Sequence, residues 1–88
     1  IVMRKETWRE LISEEMFGRK DTVLLATTLT EAELDIPFSS GYGCSEGKPF
    51  TAWSEKYVYF PVVYDGSEWV GSAPRNPCGE ATVHVGGQ

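Results

Sequence analysis

The chain has 88 residues, 41% of them hydrophobic and 24% charged, with a formal net charge of −5. Area scaling lets a chain this long bury about 64% of its unfolded surface, which supports one modest core in a single soluble domain spanning residues 1–88. The acidic balance argues against nucleic acid and anionic membranes as partners, because phosphate neutralisation needs Lys/Arg clusters. No apolar run reaches the ~20 residues that span a bilayer, and the start of the chain shows no signal-peptide pattern. A cytoplasmic protein with Cys44 and Cys78 as free thiols is the expected setting.

Thr7-Trp8-Arg9-Glu10 has the form of a capping box, in which the Thr7 hydroxyl and the Glu10 carboxylate each satisfy a backbone N–H of the first turn. Trp8, Leu11, Ile12 and Met16 follow at the spacing of one helical face. A short amphipathic helix over Trp8–Phe17 is expected, with Glu15 and Arg19 paired on its wet side and Gly18 as its stop. Thr22–Leu29 is β-branched and almost continuously apolar at first, which predicts a buried strand. Thr30 and Glu33 could cap a helical turn, but alternation through Leu34, Ile36 and Phe38 favours an extended strand over Leu34–Phe38.

Ser39–Pro49 is glycine-rich and aperiodic, the one long loop. Phe50–Trp53 reads as a short strand that turns at Ser54-Glu55-Lys56 into a long one, Tyr57–Tyr64. Asp65-Gly66 then predicts a two-residue hairpin that sets Tyr64 opposite Ser67, Val62 opposite Trp69, Phe60 opposite Gly71 and Val58 opposite Ala73. Pro61 cannot donate to a ladder, so the long strand must be an edge, bulged or paired on one side only at that point. Pro74–Gly79 is a turn-rich link, Ala81–Val85 a last short strand, and Gly86-Gly87-Gln88 a frayed end. The whole describes an α+β fold, one N-terminal amphipathic helix on a mainly antiparallel sheet of four to six strands around the Asp65-Gly66 hairpin.

Catalytic patterns are incomplete. Gly43-Cys44-Ser45-Glu46-Gly47 matches G-x-S-x-G, but neither a strand nor a helix frames it as a nucleophile elbow requires. Cys44 or Ser45 would have to find His84, the single histidine, through the fold. Glu31, Glu33 and Asp35 alternate and could hold a divalent cation, although a solvated strand face explains them as well. Lys48 follows Gly47 without the rest of a phosphate loop. No cofactor is implied, and the chain does not read as an enzyme.

Aromatic residues carry the better clue: Phe50, Trp53, Tyr57, Tyr59, Phe60, Tyr64 and Trp69 make seven of eleven within twenty residues. Period-two alternation puts Val58, Phe60, Val62, Tyr64 and Trp69 on one hairpin face, read as core. The opposite face carries Tyr57, Tyr59, Pro61, Val63 and Val70, too apolar for solvent, and a single short helix can cover only one face. Trp53, Tyr57, Tyr59, Val63 and Val70 are therefore the expected binding residues, with a protein partner or a second copy as occupant. The alternative is a small molecule held by Trp53, Tyr57 and Tyr59 beneath the Ser39–Pro49 loop.

Overall fold

The computed structural model describes residues 5–39 and 47–86. A two-residue strand β1 (Lys5–Glu6) leads into helix α1 (Trp8–Gly18), and the capping box forms as expected. Thr7 is extended at φ −115°, its Oγ1 accepts from the Glu10 N–H at 3.2 Å, and Glu10 Oε1 accepts from the Thr7 N–H at 3.0 Å. Trp8, Leu11, Ile12 and Met16 are the buried stripe. The helix ends at Gly18 as expected, but the left-handed turn falls on Lys20, at φ +57°, and the Asp21 N–H reaches back to the Met16 carbonyl at 2.8 Å. The expected Glu15–Arg19 pair is replaced by longer-range bonds, since Glu15 accepts from the Ser72 hydroxyl and Arg19 turns to Glu80.

After the helix the chain departs from expectation twice. Within Thr22–Leu29 only β2 (Ala26–Thr27) is laddered, and Val23 and Leu25 are 60% and 58% exposed. The segment lies at the sheet's outer edge, so alternate side chains turn to solvent while Leu24 packs on the core and Leu29 is buried. Leu34–Phe38 is not a strand. Thr30 and Glu33 close a second capping box around helix α2 (Glu31–Leu34), with reciprocal bonds of 2.8 and 3.1 Å. Leu34 is buried at the end of α2 and Phe38 at the start of the next strand, while Ile36 in the link between them stays 58% exposed, which a continuous alternating strand would not allow. Pro37 then releases the chain into β3 (Phe38–Ser39), which pairs antiparallel with β1.

Strands β4 (Ala52–Trp53), β5 (Tyr57–Tyr64) and β6 (Ser67–Pro74) complete a four-stranded antiparallel sheet in the order β2-β4-β5-β6. The hairpin register is the one read from the sequence, with Asp65 and Gly66 at φ +51° and +82°, as a type I′ turn requires. Pro61 lies beyond the reach of β4, whose pairing ends at Ala52↔Tyr59, so it faces a ladder only on the β6 side. Ala81–Val85 is not a strand: it makes no ladder and is exposed throughout.

Which sheet face is core is the main correction. Helix α1 lies on the face of Tyr59 and Val70, which are 0% and 2% exposed and join Trp8, Ile12, Leu34, Phe38, Phe50 and Ala52 in one cluster. Trp8 anchors it, its ring centroid 4.7 Å from Phe38 and 4.8 Å from Phe50. Among the described residues no helix lies over the face read as core.

Candidate functional site

The helix-free face is built by register. Cross-strand pairing sets Trp53 against Val58, Phe60 against Gly71 and Val62 against Trp69, and alternation carries Tyr64 to the same side. Tyr64 is 54% exposed and Trp69 37%. Trp53, Val58 and Phe60 are half-buried. Gly71 is required here, because a Cβ would stand 2.8 Å from Val62 Cγ2 and 2.9 Å from Phe60 Cε1. At the C-terminal end of the described chain, Gly86 approaches Val62 and the Val63 carbonyl.

The five expected binding residues are therefore split. Trp53 belongs to the helix-free face, whereas Tyr59 and Val70 are core beneath α1 and offer a partner nothing. Tyr57 is half-buried against that core. Val63 is on the helix side but near the hairpin tip, where it is 45% exposed. Trp53 cannot share a pocket with Tyr57 and Tyr59, because the Trp53↔Val58 and Ala52↔Tyr59 pairs point to opposite sides of the sheet.

Tyr59 takes part in a different arrangement. Its hydroxyl donates to Asp21 Oδ2. Burial raises the Tyr59 pKa well above the usual tyrosine range, and the Asp21 carboxylate adds to that. For Asp21 burial acts upward, but hydrogen bonds from the Ser54 and Tyr59 hydroxyls and the Thr22 N–H outweigh it and hold the carboxyl below its ordinary value. Beside this pair an open cleft of about 560 Å³ is lined by Arg19, Lys20, Asp21, Glu55, Lys56 and Tyr57 among others. The Arg19 guanidinium stacks 4.5 Å from the Tyr57 ring centre and is clamped by Glu80 at 2.8 Å. Burial lowers the Arg19 pKa, but the bond to Glu80 outweighs it, so the group stays firmly cationic. Three cations face two carboxylates in this cleft, so its charge is nearly balanced.

The acidic trio is neutralised by cations rather than gathered around a site. Arg9 donates to Asp35 at 2.7 Å and also to Glu31, and Lys48 pairs with Glu33. Hydrogen bonding to Arg9 lowers the Asp35 pKa, and Lys48 does the same for Glu33. Among the described residues no group of three or more His, Cys, Asp or Glu could hold a metal ion, and no helix is long and apolar enough to cross a membrane.

Cys44, Ser45 and most of Ser39–Pro49 lie outside the described residues, and with them the G-x-S-x-G motif and the partner of any His84 site. His84 itself is exposed in the C-terminal segment, and Cys78 is an exposed free thiol. Where that loop rejoins the fold, Gly47 packs on Trp8, its N–H donates to the buried Glu68 carboxylate at 3.1 Å, and Trp8 Nε1 donates to the Lys48 carbonyl at 3.0 Å. Sequence reading missed the Arg19–Tyr57–Glu80 and Asp21–Tyr59 contacts, which join residues 38 to 61 positions apart. Comparison with protein-family models, curated proteins and solved structures finds no match to this chain.

Proposed function

We propose that this chain is a protein-binding domain that associates through the helix-free face of its sheet, with a second copy as the simplest partner. One observation carries the reading: α1 covers the Tyr59/Val70 face, and among the described residues no helix lies against Trp53, Val58, Phe60, Tyr64 and Trp69 on the other. Tyr and Trp suit such a surface because each combines apolar area with a polar handle. A cytoplasmic setting agrees with the free Cys78 thiol. Small-molecule binding is the weaker reading, because the three rings that would have formed its pocket are divided between two faces.

Light scattering and sedimentation over a concentration series test the proposal. The wild-type chain is expected to dimerise, and the double variant Trp53→Ser/Tyr64→Ser to remain monomeric with an unchanged circular-dichroism spectrum. A wild-type chain that stays monomeric near millimolar concentration would sink the self-association form. Association that ignores both substitutions would move the contact off this face.

A further inference from the structure

Val62 is 7% exposed, although it stands on the face that carries no helix among the described residues. Its ladder partner Trp69 is on the same face, and Tyr64, the next residue of β5 on that side, is 54% exposed. The end of the described chain lies against Val62. A Cβ on Gly86 would stand 3.5 Å from Val62 Cγ1 and 3.4 Å from the Val63 carbonyl. Just before it, Val83 and Val85 line one gap of about 350 Å³ together with Trp69 and Gly71. Residues 83–86 therefore run past the Val62–Trp69 pair, between Phe60 and Tyr64 of the aromatic surface.

This segment has a fixed root, an open joint and a clasp. At the root, Arg75 donates its N–H to the Lys56 carbonyl at 2.8 Å and Nη1 to the Ser54 carbonyl at 2.9 Å. Gly79 follows, and nothing beyond its chain neighbours lies within 4 Å of where its Cβ would stand. The clasp is Glu80, whose two carboxylate oxygens accept from Arg19 Nη1 at 2.9 and 2.8 Å. Beyond it, residues 81–85 are all exposed, and among the described residues no backbone hydrogen bond holds them.

Lifting the segment costs the ion pair and the Gly86 contact, and leaves the cluster of Trp8, Tyr59 and Val70 in place. Arg19 would keep its bonds to the Ser72 hydroxyl and carbonyl, at 2.8 and 3.2 Å, and its seat on the Tyr57 ring. The fold can therefore survive the release.

We infer that residues 80–86 form a detachable strap, clasped by Glu80 to Arg19, that limits association at the helix-free face, a role that rests on that face being the association surface. While seated, the strap occupies the Val62–Trp69 part of the surface. A chain with the strap lifted offers Phe60, Val62, Tyr64 and Trp69 as one uninterrupted patch. The measured affinity is then the intrinsic affinity reduced by the fraction of chains whose strap is lifted.

Two variants of the full chain release the strap at opposite ends. Glu80→Gln removes the charge of the clasp, and Gly86→Val places a β-branched residue where φ is +90°. In dilute solution, NMR should show a nuclear Overhauser contact between the Val62 methyls and residue 86 in the wild type. Both variants should lose it while the signals of Trp8 and Tyr59 stay unchanged. By sedimentation each variant should dimerise about fivefold more tightly than the wild type, the effect of losing one partly exposed charge pair. Adding Trp53→Ser/Tyr64→Ser should abolish that gain. A dimer constant unmoved by release overturns the inference and leaves the association reading standing. No dimer in the wild type or either variant removes the reading, and the inference with it. A gain that survives Trp53→Ser/Tyr64→Ser, or a wild type without the Val62 contact, also overturns the inference.

Discussion

Gly71 is held by the side chains of the neighbouring strand. The two contacts a Cβ would make, 2.8 Å to Val62 and 2.9 Å to Phe60, are closer than carbon atoms tolerate. Gly71→Ala should destabilise the fold by ~1–3 kcal/mol, the usual cost of overpacking, seen as a lower urea midpoint. An unchanged midpoint would show that Phe60 swings away freely. The room beside Phe60 was legible in the sequence, because the Asp65-Gly66 turn sets the register that brings the two together.

Tyr59 gives a pH dependence of known sign. Its folded pKa is raised by burial and by Asp21, above an unfolded value of about 10. The unfolded chain therefore gives up this proton first, so the stability due to Tyr59 is complete below about pH 10 and falls as pH rises beyond it. Urea midpoints measured from pH 8 to 11 should decline in the wild type and decline less in Tyr59→Phe. Parallel curves would remove Tyr59 as the cause. Nothing in the sequence reveals this pair, since Asp21 and Tyr59 are 38 positions apart and meet only because α1 and the strands pack.

Among elements, α2 shows how a local hydrogen-bond pattern can override periodicity. Leu34, Ile36 and Phe38 alternate as a strand should, but the Thr30–Glu33 box satisfies two backbone donors at once and commits the chain to a turn of helix. Thr30→Ala should cost about 1 kcal/mol and erase the helical Cα shifts of Glu31–Leu34. Retained helical shifts would mean that burial of Leu34 alone holds the turn. The Thr7–Glu10 box and the apolar stripe of α1 were both legible, because capping and the 3.6-residue period there point the same way. Ala81–Val85 fails in the opposite sense: its side chains are β-forming, yet it joins no ladder.

At the scale of the whole molecule the described residues form a four-stranded sheet with α1 on one face, together with the two-stranded β1–β3 pair. Its shortest dimension is 19 Å, about two layers of secondary structure, and the accessible area of 6129 Å² exceeds the roughly 5,200 Å² that area scaling assigns to a compact chain of this mass. A third layer over Trp53, Phe60, Tyr64 and Trp69 would bring the area down, and the proposed association would supply one.

The sequence by itself determined the α+β class, the capped helix, the hairpin and its register, because each rests on neighbours in the chain: a turn dipeptide, a capping box, a period of two or of 3.6. It determined also that both hairpin faces are apolar and that one short helix can cover only one. Which face that is, only the tertiary structure decided. Alternation makes the faces of Val62 and Tyr59 equivalent as patterns. The choice falls to contacts far apart in sequence: Arg19 and Glu15 on Ser72, Asp21 on Tyr59, and Gly47 wedged between Trp8 and Glu68.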